Sequence, residues 1–158
     1  MNWKIILIGG IVFFAITWIV SMATGPLVHG GILVEAYQGT ASFWRPELTQ
    51  EPPDMAALMP RWIVSGLICS FIVAGIYSVV RDSFVGQGWV RGAKFGVVIA
   101  LFTLMFMLGY SGVFNLPDRI WAWWWVEGLV INVAGGAALG WIVARLTRAP
   151  APAAAAAA

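Results

Sequence analysis

Charged side chains are scarce in this chain. Asp, Glu, Lys and Arg make up 10% of its 158 residues, against about a quarter of an ordinary soluble domain. A water-soluble fold of this size leaves much of its surface in solvent and would have little polar material to coat it with. The same shortage excludes an intrinsically disordered chain, whose signature is polar and charged. The single cysteine, Cys69, excludes a disulfide framework and any cysteine-only metal site within one chain. The single histidine, His29, excludes a multi-histidine centre in a monomer. No P-loop, GxSxG, HExxH or GxGxxG occurs, so the motifs of phosphoryl transfer, hydrolysis and dinucleotide binding are missing. The cations form no patch with interleaved aromatics, so no nucleic-acid partner is expected.

Apolar residues are abundant, at 61%, and the mean hydropathy is +0.86. This is the composition of an integral membrane protein. A membrane helix needs ~20 mostly apolar residues to cross ~30 Å of hydrocarbon. The stretch from Ile5 to Val34 carries no Lys or Arg and no acid. As one upright helix it would run roughly 45 Å, which is too long. Gly25-Pro26 offers a break, because proline removes a donor and disfavours helix in the residue before it. The first helix is therefore expected over about 3–24, read as an uncleaved span although Ser21-Met22-Ala23 resembles a signal-peptidase site. Further helices are expected over about 62–80, 89–113 and 120–146, the third ended by Gly112, Asn115 and Pro117. The expected fold is all-α: an integral membrane four-helix bundle, one domain over residues 1–148. Residues 149–158 read as a flexible Ala/Pro tail.

Lys and Arg set the orientation. Lys4, Arg81, Arg91, Lys94, Arg145 and Arg148 fall on the side of the termini; Arg45, Arg61 and Arg119 fall on the other. Both termini are thus expected in the cytoplasm of a bacterium, in its inner membrane. The connection between helices 1 and 2 becomes an outer cap. Leu27 to Tyr37 is apolar enough for a short interfacial helix. The acids and prolines around Glu47 and Asp54 read as a solvent loop, and Met55 to Met59 as a short helical turn before Pro60.

Trp121, Trp123, Trp124 and Trp125 sit near the cap. They read either as an aromatic belt that fixes helix depth or as a docking surface for lipid, pigment, quinone or another subunit. Consecutive helical residues point about 100° apart, so one of the three in a row is expected to face lipid or a partner. Gly66, Ser70 and Ala74, and Gly128, Asn132, Gly136 and Gly140, recur every four residues. Small residues at that spacing allow close helix packing inside the bundle or at a subunit contact. Asn132 is expected to bond across helices, and Cys69 to be buried and inert.

Glu127 is the sharpest candidate for chemistry. A carboxylate at membrane depth is costly unless paired or hydrated. It reads as a structural ion pair, with Arg61 or Arg119 as partner, as a proton or ion site, or as a contact with another subunit. His29 could ligate a haem iron or a chlorophyll magnesium, or sense pH; otherwise no cofactor and no metal is expected. Glu35 lies six residues on, off its helical face, and a membrane enzyme built on His29 and Glu35 is the weakest reading. The first expectation is a non-catalytic accessory subunit that docks with a larger membrane complex, respiratory or photosynthetic. The alternative is a small proton- or ion-coupled transporter using Glu127, a homo-oligomer. Lipids are partners in either case.

Several fragments resemble an uncharacterised family of small four-helix bacterial inner-membrane proteins: Leu27-Val-His-Gly30 with Tyr37, Arg45-Pro-Glu47, Met59-Pro60, Arg91-Gly-Ala-Lys-Phe-Gly96 and Gly140-Trp-Ile-Val-Ala144. The resemblance implies the four-helix architecture and carries no activity or catalytic residue with it. The stretch from Trp123 to Glu127 is more aromatic than that family's pattern.

Overall fold

The structure is a computed structural model and describes residues 2–147. It is all-helical, with no strand among the described residues. Four helices are long and apolar enough to cross a membrane: α1 (Ile5–Ile32), α4 (Met55–Val80, extended by a 3-10 turn to Ser83), α5 (Gly88–Ser111) and α6 (Asp118–Leu146). The Arg148 side chain and the Ala/Pro tail lie outside the described residues. Helices are what such segments must form, since hydrocarbon offers no partner for an exposed N–H or C=O. Two short helices, α2 (Val34–Gln38) and α3 (Pro46–Thr49), lie in the connection between α1 and α4.

Gly25-Pro26 does not end the first span. α1 runs on to Ile32, with Pro26 inside it and a wide π-type turn over Val28–Ile32. Proline strains the preceding residue through its Cβ, and Gly25 has none. The lost bond is a single one, a defect that membrane helices tolerate when neighbours pack around it. α4 likewise begins at Met55 and passes through Pro60 without a break. Asp54 caps it, its carboxylate accepting from the Ala57 N–H at 3.0 Å. The turn before α5 needs Gly86, which has φ +126°.

The bundle is ordered α4, α1, α6, α5, with α1 and α6 in the middle. α5 and α6 make the closest crossing. A Cβ on Gly92 would lie 2.7 Å from the Gly140 nitrogen, and one on Gly136 would lie 3.0 Å from the Gly96 backbone. α4 does not run beside α5; the two meet at the end where α1 begins and α6 finishes, where Tyr77 and Phe95 pack with tilted rings at 5.1 Å. Ile5, Phe13, Ala74, Leu139 and Val143 complete that core. A second, smaller core holds the opposite end. There Val28, Leu33 and Ile120 are buried under Tyr37, Trp44, Trp123 and Trp124. This cap, folded from the end of α1 to Trp44, rests on the first turns of α6.

Candidate functional site: a buried carboxylate under the cap

Glu127 sits nine residues into α6, roughly 14 Å from its start, and is 7% exposed. It is the only buried ionisable residue with an acidic or basic side chain among those described. The antiparallel neighbour α1 supplies both of its partners. Thr24 donates its hydroxyl to Oε1. His29 Nε2 lies 2.9 Å from Oε2. Helical side chains lean toward the N-terminus of their helix. His29, on the last turn, therefore reaches back to the level that Thr24 also serves.

The network continues outward. His29 Nδ1 lies 2.6 Å from the Tyr37 hydroxyl, and the Trp124 indole N–H donates to that hydroxyl at 2.8 Å. Tyr37 packs edge-on against Trp44, whose own N–H donates to Thr40 Oγ1 at 3.1 Å. With Glu127 ionised and the imidazole neutral, Nε2 carries the ring hydrogen and points it at the carboxylate; Nδ1 is then the acceptor, and Tyr37 accepts from Trp124 while giving its own hydrogen to Nδ1. Burial raises the Tyr37 phenol above its ordinary range; the Trp124 bond works against this and the charge on Glu127 adds to it.

Thr24 can serve either protonation state of Glu127. Its hydroxyl lies 3.1 Å from the Val20 carbonyl as well as against Oε1. An ionised carboxylate takes the threonine hydrogen. A protonated one can donate to Thr24 Oγ1, whose own hydrogen then turns to Val20. The site is closed on one side and open on the other: the His29 side chain is 43% exposed and that of Glu127 6%. Toward the far end, Gly135 packs on Thr17 and Phe13, and below them Leu139 and Ala74 are fully buried.

Several sequence expectations are corrected by this geometry. Arg61 and Arg119 are not the partners of Glu127; the end of α1 occupies that place because the helix does not stop at Thr24. Glu35 is exposed on α2 and makes no contact with His29. Both ring nitrogens of His29 are engaged, so haem or chlorophyll ligation would require one of these bonds to break. Asn132 does not reach another helix: its side chain donates to the Gly128 carbonyl of its own helix at 2.7 Å. Gly128 leaves the small-residue row, since a Cβ there would meet nothing within 4 Å. One turn back, Trp125 stands between the helices, its N–H on the Ala100 carbonyl at 3.2 Å, and holds the backbones apart. Cys69 is exposed on the outer face of α4.

The remaining small residues lie at helix contacts. Gly66 faces Phe14 of α1, where a Cβ would come within 2.8 Å. Ser70 and Ala74, one and two turns on, are buried. Trp121, Trp123, Trp124 and Trp125 are all half-buried, because the cap covers α6 on one side and α5 on another. The Trp121 N–H is buried without a partner. Thr24 carries no signal in the sequence; Trp44 is expected at the same face as the α6 tryptophans and Tyr37 belongs to a fragment of the resemblance, but nothing in their spacing signals a meeting with Glu127. Comparison with protein-family models, curated proteins and solved structures finds no match for this chain.

Proposed function

We propose that this chain is a small non-enzymatic protein of a bacterial inner membrane whose Glu127–His29 pair takes up and returns a proton at the outer face. The carrying observation is the pairing of a buried carboxylate with the sole, half-exposed imidazole. Ionisable groups inside membranes are functional by default when they face a bundle interior and have a partner. Adding a proton to His29 changes what Tyr37 can do. An imidazolium donates from both nitrogens, so Tyr37 must stop donating to Nδ1 while still accepting from Trp124. The charge state of the pair is thereby coupled to the seat of the cap, which Tyr37, Trp44 and Trp124 hold together. The apolar packing on the far side of Glu127 favours a one-sided proton sensor over a conducting path. A proton-coupled transporter would have to open that layer.

The orientation in this proposal rests on charge. The end with the termini carries Lys4, Arg81, Arg91, Lys94, Arg145 and Arg148 against one acid, Asp82. The cap end carries Arg45, Arg61 and Arg119 among the other acids of the chain. The positive-inside rule puts the termini in the cytoplasm. Kinship with the small four-helix family that the fragments resemble belongs to the same proposal.

Infrared difference spectra across a pH titration test the proton site. The wild-type protein should show a carboxylate band of Glu127 that changes as the pair takes up its proton. Glu127→Gln should fold and lack that band. An identical titration in Glu127→Gln would reject the assignment.

A second reading, an accessory subunit of a larger membrane complex or of a homo-oligomer, is supported by the outer face of α4, where Ile68, Ile72, Ile76 and Val79 are exposed. Purification in mild detergent tests it: a stoichiometric co-purifying membrane protein supports it, and a lone monomer rejects it.

A further inference from the structure

A second polar feature lies at the opposite end of the bundle. Between the end of α4, the start of α5 and the end of α6 is a partly open cleft of about 350 Å³, at the small end of the range of ligand pockets. Its polar lining includes Arg81, Asp82, Arg91 and Thr147, with Gly86 and Gly88 on the α5 side and the apolar Val143 and Ala144 on α6.

Neither guanidinium group is fully hydrogen-bonded within the chain. Arg91 donates Nε to the Gly86 carbonyl at 2.8 Å, which orients the rest of its fork. Its Nη1 is 3.7 Å from Asp82 Oδ1, beyond hydrogen-bond reach. Arg81 Nε is 3.8 Å from Asp82 Oδ2, and that nitrogen is buried with no hydrogen-bond partner. A buried donor left without a partner is costly, and a guanidinium is among the least readily neutralised groups in a protein. Asp82 is 78% exposed and is too loosely placed to satisfy either arginine. α5 begins beside the cleft at Gly88, and Gln87 before it provides no side-chain cap. Gly88 lets this end of α5 pack closely on α6, where a Cβ would meet Ala144 and the Gly140 carbonyl.

We propose that this cleft binds a phosphate-bearing anion, its phosphate seated between the guanidinium groups of Arg81 and Arg91. Arginine forks match phosphate oxygens in pairs, and such charge-assisted bonds are the strong ones. The apolar wall on α6 suits a ligand with a hydrocarbon part, and the cleft lies at the level where helix ends meet lipid headgroups. The chemistry is that of a phosphate mono- or diester. An anionic phospholipid and a soluble phosphate are its two sources.

The test uses the full chain in neutral detergent, with thermal unfolding followed as short-chain phosphatidylglycerol, phosphatidylcholine or inorganic phosphate is added. A ligand that binds only the folded state raises the midpoint with its concentration. Phosphatidylglycerol should stabilise the wild type, and Arg81→Gln or Arg91→Gln should each weaken its apparent affinity roughly tenfold. Asp82→Asn changes an exposed residue and removes the competing carboxylate. It should tighten binding by about threefold. Arg119→Gln, at the other end, should change nothing. Stabilisation by the lipid alone assigns the membrane headgroup as ligand; stabilisation by inorganic phosphate with the same arginine dependence assigns a soluble one. An unchanged response in a folded Arg81→Gln/Arg91→Gln double variant overturns the proposal. So does equal stabilisation by phosphatidylcholine, or weaker binding in Asp82→Asn.

Discussion

Gly92 and Gly136 exclude each other's side chains: a Cβ on either would run into the carbonyl oxygen of the other. The contact is reciprocal, so neither position can be relieved by a shift of a flexible neighbour. Only backbone faces backbone there. Membrane helices gain association energy from such close approach, because no hydrophobic drive separates helix from lipid.

Gly136→Leu should therefore separate α5 from α6 and lower stability by about 3 kcal/mol or more, toward the upper end of overpacking costs. Gly128→Leu, on the same helix, places its side chain in open space and should leave stability nearly unchanged. Unfolding of both variants in sodium dodecyl sulfate titrations gives the comparison. Equal losses would refute the role given to the crossing.

Removing the hydroxyl beside Glu127 isolates one bond of the network. Thr24→Val keeps the shape of the side chain and leaves Oε1 without its donor. A loss of about 1–3 kcal/mol is expected for a buried acceptor stripped of its partner. Thr24→Ser should restore most of it. If valine and serine behave alike, the hydroxyl is not holding the carboxylate.

The phenol of Tyr37 gives the cap an alkaline limit. Burial raises it above its ordinary value of 10.0, so the folded state favours the neutral form. Its contribution is complete below that ordinary value and is lost as pH rises through the raised one. Indole fluorescence from Trp44 and Trp124 should report the cap loosening above pH 10, the reference value for tyrosine. Tyr37→Phe should abolish this alkaline transition, at the cost of the bonds to His29 and Trp124.

Cys69 reports on the membrane directly. It lies midway along α4 on the exposed face. A charged reagent does not enter hydrocarbon, because burying an unpaired charge is costly. In sealed vesicles a charged maleimide should fail to label it from either side, while solubilisation and unfolding should expose it. Rapid labelling in intact vesicles would show that this face of α4 meets water.

The four spans are legible in the sequence because hydrocarbon imposes one rule on every residue: charge is excluded for about twenty positions. Arg81 and Asp118 therefore mark helix boundaries well, whereas α4 begins at Met55, before Arg61. The ends of helices are less legible, because Pro26 and Pro60 act through a clash whose cost depends on what precedes and surrounds them. Glu127 stands out by its depth alone, whereas its partners depend on which helix lies beside α6 and on the continuation of α1 past Thr24. Cys69 shows the same limit. A periodic apolar helix has no polar face to tell its lipid side from its protein side, so burial at Cys69 could not be read from its neighbours.

The wide turn over Val28–Ile32, closed by the Leu33 N–H on the Val28 carbonyl at 2.9 Å, has a consequence for how this chain can vary. Such turns hold one residue more than an ordinary helical pitch allows. Deleting a single position there would remove the slack of the wide turn and draw Leu33 and the start of α2 back against α1, pulling Tyr37 off the imidazole. The length of this segment thus sets the reach of the cap. Substitutions can be absorbed within it, but the number of residues cannot drift without uncoupling the lid from the acid beneath it.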